Sequence, residues 1–271
     1  MSLTLTKSHS KRAFEVIVIA CFFAFFFGPI LTIAVWAVTG KWNYPALLPQ
    51  QFSLHWWKWV FSQTDLVGPM RLSFEFAIIV TILSTAICLP AAYAFARFQF
   101  PFKRFIYMLY LLPNAFPIVG LYVSIAVMFY RLNLMGTFFG VILIQLVNTL
   151  MFMTWIPAAA FQNVSRNYED ACRDVGAGPF RTFLRVTLPL AAPGIIVAVI
   201  FSFLAALDEA QGTLIVGMPT YITMPVKMYS LVTDYPGPVG AVFSVLLTTP
   251  SVVLLLLARR FLGSEALSKA F

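Results

Sequence analysis

Long apolar runs follow one another along this chain, each cut off by a short polar or basic turn. About 20 apolar residues in helical form span the hydrocarbon core of a bilayer. The runs reach that length and predict transmembrane helices over residues 13–39, 72–95, 105–130, 137–161, 194–216 and 239–258. An outer-membrane barrel would instead show alternating segments of about ten residues. The expected fold is therefore all-α and transmembrane, a single six-helix domain over residues 1–271. Proline interrupts the third run at Pro113 and Pro117 and lies inside the fourth at Pro157. Each proline frees a backbone carbonyl, which suits a helix that must kink and is also tolerated in a helix that does not move.

Composition agrees with lipid as the main solvent. Of the 271 residues, 61% are hydrophobic and 10% charged, where a soluble domain carries about 25% charged residues. The basic start before residue 13 resembles a signal peptide, but the apolar run behind it is longer than a signal core of about 7–15 residues. The stretch Phe52–Phe61 with its Trp cluster has the composition of an anchor at headgroup depth, or of a docking surface for an external partner.

The net charge of +8 does not point to nucleic acid, because no polar groove interleaves these cations with stacking aromatics. They mark topology instead. Lys7, Lys11, Arg12, Arg97, Lys103, Arg104, Arg166, Arg173, Arg181, Arg185, Arg259, Arg260 and Lys269 fall on one side of a six-span plan. Lys41, Lys58, Arg71, Arg131 and Lys227 fall on the other. Cytoplasmic loops carry the Lys/Arg excess, which places both termini and the loop over 162–193 in the cytoplasm.

That loop is the polar island of the chain. Asn167 is an expected N-cap, Glu169 and Asp170 sit where the helix dipole favours anions, and Gly176 is suited to a left-handed helix end. A second short helix is expected over Pro179–Thr187, ahead of Leu188–Pro189. Two short polar helices cannot bury a core of their own. They suit a groove on another protein, or form an ordinary solvated loop.

No chemistry-bearing motif competes with this island. There is no Gly-x-x-x-x-Gly-Lys-Ser/Thr loop, so the chain has no such means to hydrolyse ATP. His9 and His55 lie outside the spans, no His-Glu-x-x-His occurs, and Cys21, Cys88 and Cys172 have no paired spacing. Neither a metal site nor a catalytic residue is expected. Inside the spans, Asp208 and Glu209 are costly. They line a path for a cationic solute, or they are held by hydrogen bonds to a loop or a partner helix. Asn114, Gln145 and Asn148 likewise line the path or join helices. Glu75, near a helix end, is expected to be wet.

The spacing in the island resembles the cytoplasmic EAA loop of ABC importer permeases. Asp170-Ala171-Cys172 stands for Glu-Ala-Ala, Gly176 follows three residues later, and Val186-Thr187-Leu188-Pro189 comes nine residues after that. Ala92–Phe98 and Leu188–Pro193 extend the likeness. The departures are Asp170 for Glu, Cys172 for Ala and Val186 for Ile.

The resemblance implies a six-helix type I importer permease with cytoplasmic coupling helices, multi-pass in a bacterial inner membrane. It implies coupling to the ATPase through Glu169, Asp170, Ala171, Asp174, Gly176, Leu188 and Pro189. The implied partners are a second permease in a heterodimer, two ATPase subunits, an external solute-binding protein and lipid. No cofactor is implied on this chain; ATP and magnesium belong to the ATPases. Ser202–Glu209 and Met224–Ser230 are closest to polyamine, opine and organic-ion permeases. The implied solute is a small polar or cationic compound such as a polyamine. A permease for sugar or another organic solute on the same plan is the alternative, and a secondary transporter or membrane scaffold is a further one.

Overall fold

The computed structural model describes residues 3–42, 46, 48–110 and 112–262, with the backbone alone for 3–10, 13, 114 and 260–262. Its helices are α1 (Leu3–Ala37), α2 (His55–Ser62), α3 (Thr64–Arg97), α4 (Lys103–Leu109), α5 (Leu112–Ala115), α6 (Ile118–Arg131) and α7 (Phe138–Asn163). There follow α8 (Arg166–Asp174), α9 (Pro179–Thr182), a π-helical turn (Phe183–Thr187), α10 (Leu188–Leu207), α11 (Gln211–Gly217), α12 (Met224–Asp234) and α13 (Gly237–Leu262). Strands β1 (Thr39–Lys41) and β2 (Gln51–Phe52) pair antiparallel.

Packing divides the chain into two compact units: Met1–Gln63 with Ser230–Leu246, and Thr64–Tyr229 with Leu247–Phe271. In the first unit, the apolar window of the span Phe14–Ala37 buries none of its side chains. The Trp stretch forms α2. Trp57 donates its indole N–H to the Ala37 carbonyl at 2.7 Å, and Trp59 meets Tyr235 edge-on.

The second unit is built on α7, which packs along α3 and α10 and also against α11. Thr137 starts α7 by accepting the Gly140 N–H at 3.0 Å. One core cluster joins Phe76, Val80, Val141, Ile142, Ala206 and Leu207. Another joins Ala92, Ala158, Phe161, Ala191 and Ile195 nearer the α8 end. Small residues such as Ala92, Ala158 and Ala191 let helices approach closely, which is how helices associate where lipid removes the hydrophobic drive.

Among the described residues, five helices are long and apolar enough to cross a membrane: Phe14–Ala37, Thr64–Arg97, Phe138–Asn163, Pro179–Leu207 and Gly237–Arg259. Two expected spans come out differently. The third, 105–130, is three helices, of which Ile118–Arg131 is the longest. Its 14 residues extend about 21 Å at 1.5 Å per residue, short of a hydrocarbon core about 30 Å thick. Pro113 and Pro117 lack the N–H that would continue the ladder, and Pro117 is the N-cap of α6 with ψ 116°. Pro157, by contrast, stays inside α7. The fifth, expected at 194–216, begins at Pro179 and ends at Leu207.

Glu75 is half-exposed and pairs with Arg71 at 3.1 Å. Phe76 is fully buried, with ring centroids 5.0 Å from Phe138 and 5.8 Å from Tyr221. Removing a core Phe ring costs about 3–5 kcal/mol in a soluble protein. Between helices in lipid the water-transfer share is absent and the packing share remains. Phe76→Ala is therefore expected to destabilise the chain by roughly half that amount. Equilibrium unfolding in detergent measures it, and an unchanged midpoint would contradict the assigned core.

Candidate functional site

The polar island forms one short helix and one turn. Ser165, not Asn167, is the N-cap of α8, and its hydroxyl accepts the Asn167 N–H at 3.3 Å. At the other end Gly176 has φ +86°, the left-handed value at which a side chain is strained. Its N–H bonds the Arg173 carbonyl at 2.8 Å, and the Ala177 N–H bonds the Cys172 carbonyl at 3.1 Å. This paired cap satisfies two of the last carbonyls of α8 and turns the chain sharply.

The expected second helix is not separate. Pro179–Thr182 runs through the π turn directly into α10. In an α-helix the ring of Pro189 would clash with the carbonyl four residues back, that of Arg185. Widening the turn relieves this: the Leu188 N–H reaches the Phe183 carbonyl, five residues back. The Leu188–Pro189 pair thus accounts for the π turn, and the π turn delivers Thr187 to α8.

Glu169 faces inward. It is 4% exposed and pairs with Arg97, the last residue of α3, at 2.8 Å. The Thr187 hydroxyl donates to the same carboxylate at 2.8 Å. Arg97 also donates to the Val164 carbonyl at 2.8 Å, at the end of α7. Arg166 in turn donates to the Arg97 carbonyl at 3.3 Å. Four elements therefore meet at one buried ion pair.

The outer face of α8 is different. Asp170, Ala171, Arg173 and Asp174 are exposed, and Arg173 pairs with Asp170 at 3.2 Å. Beside them three large side chains stand open: Tyr168 at 61%, Val175 at 83% and Phe180 at 74%. Leu188 is half-buried and Pro189 exposed. Sequence reasoning missed Arg97, Thr187, Val175 and Phe180. Arg97 reads as one more topology cation, and a lone Val or Phe in a polar loop carries no periodic signal.

The membrane acids part company. Asp208 follows the last residue of α10 and is exposed. Glu209 is buried and caps α11: its carboxylate accepts the N–H groups of Gly212 and Thr213 and the Thr213 hydroxyl. Those N–H groups are among the orphans of a helix start, and the dipole favours a negative charge there. A Cβ on Gly212 would stand 2.7 Å from Ile144 and 3.1 Å from the Glu209 carboxylate, so only glycine fits beside this cap.

Gln145 is buried and donates to Thr213 at 3.0 Å, and Asn148 donates to the Ala205 carbonyl at 3.3 Å. Both join α7 to its neighbours. The side chain of Asn114 lies outside the described residues. Among the described residues, no group of His, Cys, Asp and Glu is placed to hold a metal ion.

Comparison with known proteins places this geometry. Residues 85–264 match the family model described as "Binding-protein-dependent transport system inner membrane component". The trehalose transport system permease protein SugB of Mycobacterium tuberculosis is 26% identical, over 79% of this chain and 80% of its own length. The maltose/maltodextrin transport system permease protein MalG of Escherichia coli K12 is 28% identical, over 97% of this chain and 96% of its own. A crystal structure of a bacterial ABC transporter importing the polysaccharide alginate superposes with a TM-score of 0.70 at 15% identity, covering 93% of this chain and 97% of that one.

These relatives are sugar permeases, which corrects the expected affinity to polyamine, opine and organic-ion permeases. Of the acid pair in the Ser202–Glu209 segment, Glu209 is taken up as a helix cap and Asp208 is exposed. The chain belongs to the binding-protein-dependent transport system inner membrane components, the type I permease subunits of ABC importers, and is a transport subunit without catalysis of its own.

Proposed function

We propose that this chain is one half of the translocation pathway of a saccharide importer, with α8 and its glycine turn docked in a cytoplasmic ATPase. One observation carries the docking reading. α8 turns its buried Glu169 toward the spans and leaves Tyr168, Asp170, Asp174, Val175 and, beyond the turn, Phe180 exposed. Tyr168 on α8, Val175 at its C-cap and Phe180 beyond the turn stand open close together beside the acids, and an apolar patch rimmed by polar residues supports a contact surface. Asp170, Ala171 and Asp174 form its polar part, Gly176 its sharp end, and Leu188 and Pro189 set the π turn beneath it.

The Lys/Arg excess on this face supports a cytoplasmic position for α8 and both termini in a bacterial inner membrane. The remaining partners in this reading are a second, different permease, a second ATPase subunit, an external binding protein and lipid. The chain binds no cofactor itself, and ATP with magnesium is handled by the ATPases. Neutral saccharide is favoured over a cationic solute on two grounds. The named relatives carry trehalose and maltose, and one of the two membrane acids is already engaged by three hydrogen-bond donors within the chain.

Two measurements test the reading. Val175→Asp places a charge on the exposed apolar face. A central anchor costs 2 kcal/mol or more when lost, about thirtyfold in affinity, so ATPase co-purification should fall by about that factor. The stability of the chain itself should shift by less than about 0.5 kcal/mol, as for an exposed site. Undiminished co-purification would remove this face from the ATPase contact.

For the solute, Asp208→Asn in the reconstituted complex should leave the KM for maltose or trehalose uptake within about twofold, because a neutral sugar gains little from one carboxylate charge. Failure of the unaltered complex to take up any saccharide, with uptake of spermidine abolished by Asp208→Asn, would restore the cationic reading.

A further inference from the structure

α8 has little of its own to hold it in place. It packs mainly on α9 and the π turn, and Glu169 is the one side chain it buries. Its firm attachment is therefore polar and is concentrated at Arg97. The Arg97 side chain is 8% exposed and that of Glu169 is 6%. Arg97 bonds the end of α7 through Val164 and α8 through Glu169, while its own carbonyl is held by Arg166. Thr187 ties the same carboxylate to the base of α10.

A buried ion pair contributes little net stability compared with an apolar contact of the same size. What it supplies is direction. Nη2 of the guanidinium reaches both the Glu169 carboxylate and the Val164 carbonyl at 2.8 Å, and such charge-assisted hydrogen bonds are directional, whereas an apolar contact lets surfaces slide.

We propose that Arg97 is a positioning residue of energy coupling, clamping α8 through Glu169 and Thr187 to the ends of α3, α7 and α10 so that a displacement of α8 moves all three together. The inference rests on the reading that an ATPase docks on α8. Without the clamp, α8 still offers its outer face to the ATPase. Its motion then reaches the spans through the glycine turn, the Val164–Ser165 connection and the single bond from Arg166 to the Arg97 carbonyl at 3.3 Å. ATP is hydrolysed and the spans follow incompletely.

The test uses the complete complex, with ATPases, second permease and binding protein, in liposomes. Arg97→Met, Glu169→Gln, the double variant and Arg97→Lys are compared for bound ATPase, ATP hydrolysis and solute uptake. Glu169→Gln is nearly isosteric and keeps an acceptor for Thr187, so it serves if Arg97→Met assembles poorly. Arg97→Met and Glu169→Gln should raise the ATP consumed per solute by at least about fivefold, the low end of coupling between two sites. ATPase should remain bound. The double variant should be no worse than the worse single one, because the two residues act as a unit. Arg97→Lys should recover part of the loss, since an ammonium carries the charge toward Glu169 without the planar, rigid geometry of the guanidinium.

Uptake and hydrolysis falling in proportion would mark Arg97 as merely structural and overturn the clamp. So would a ratio within about twofold of the unaltered complex, below any coupling of that size. If the unaltered chain binds no ATPase at all, the docking reading itself fails. If the unaltered complex couples normally and the variants do too, only the clamp fails.

Discussion

Backbone groups inside a bilayer have no water to turn to, so every interruption of a helix must be repaired from within the protein. This chain interrupts its helices repeatedly, and each repair sets the local architecture. At Pro113 and Pro117 the missing donor belongs to proline itself, so no N–H is left stranded there. At the start of α10 the π turn moves a bond from four residues back to five and so accommodates Pro189. Between α10 and α11 a carboxylate takes over: Glu209 accepts the first free N–H groups of the next helix. Burying a carboxylate is costly unless it is hydrogen-bonded. Three donors and the dipole of α11 offset that cost where it arises.

The same division of labour appears twice. Asp170 follows Glu169, and Asp208 precedes Glu209. In each pair the glutamate is buried at 4% exposure and the aspartate is exposed. Each buried glutamate accepts a threonine hydroxyl, from Thr187 in one case and Thr213 in the other. The glutamates bind elements of the chain to one another. The aspartates face outward, Asp170 beside Arg173 at 3.2 Å.

Most of the helical plan was legible in hydropathy, because a run of about 20 apolar residues has few other uses. Gly176 was legible too, since a left-handed helix end has a residue preference strong enough to read from one position. What was not legible depended on distant partners. Nothing in the order Glu169–Asp170 says which acid turns inward; that is decided by Arg97 at the end of a different span. The merging of residues 179–187 into α10 was hidden because Pro189 reads as a stop, and a π turn is the uncommon way past it. The affinity to polyamine permeases rested on the segments Ser202–Glu209 and Met224–Ser230, and the acid Glu209 in the first has backbone partners a few residues on, a contact that residue type alone does not reveal.

α10 links the two acid sites. Its 20 residues extend about 30 Å at 1.5 Å per residue, close to the hydrocarbon thickness. Thr187, immediately before it, is held to Glu169, and Asp208, immediately after it, opens the break that Glu209 repairs. A helix of this length does not compress, so a displacement entering at its base arrives at Leu207 nearly intact. There the regular ladder ends. α11 is held to α7 by the Gln145–Thr213 bond, and α7 is bonded to α10 near the same end, through Asn148 and the Ala205 carbonyl. Clamped together at one end, α7 and α10 are thus tied again at the other, and α11 follows them as α7 carries it. In the proposed reading the exposed carboxylate of Asp208 is placed by the break between two helices that share this partner, whether or not the solute is charged.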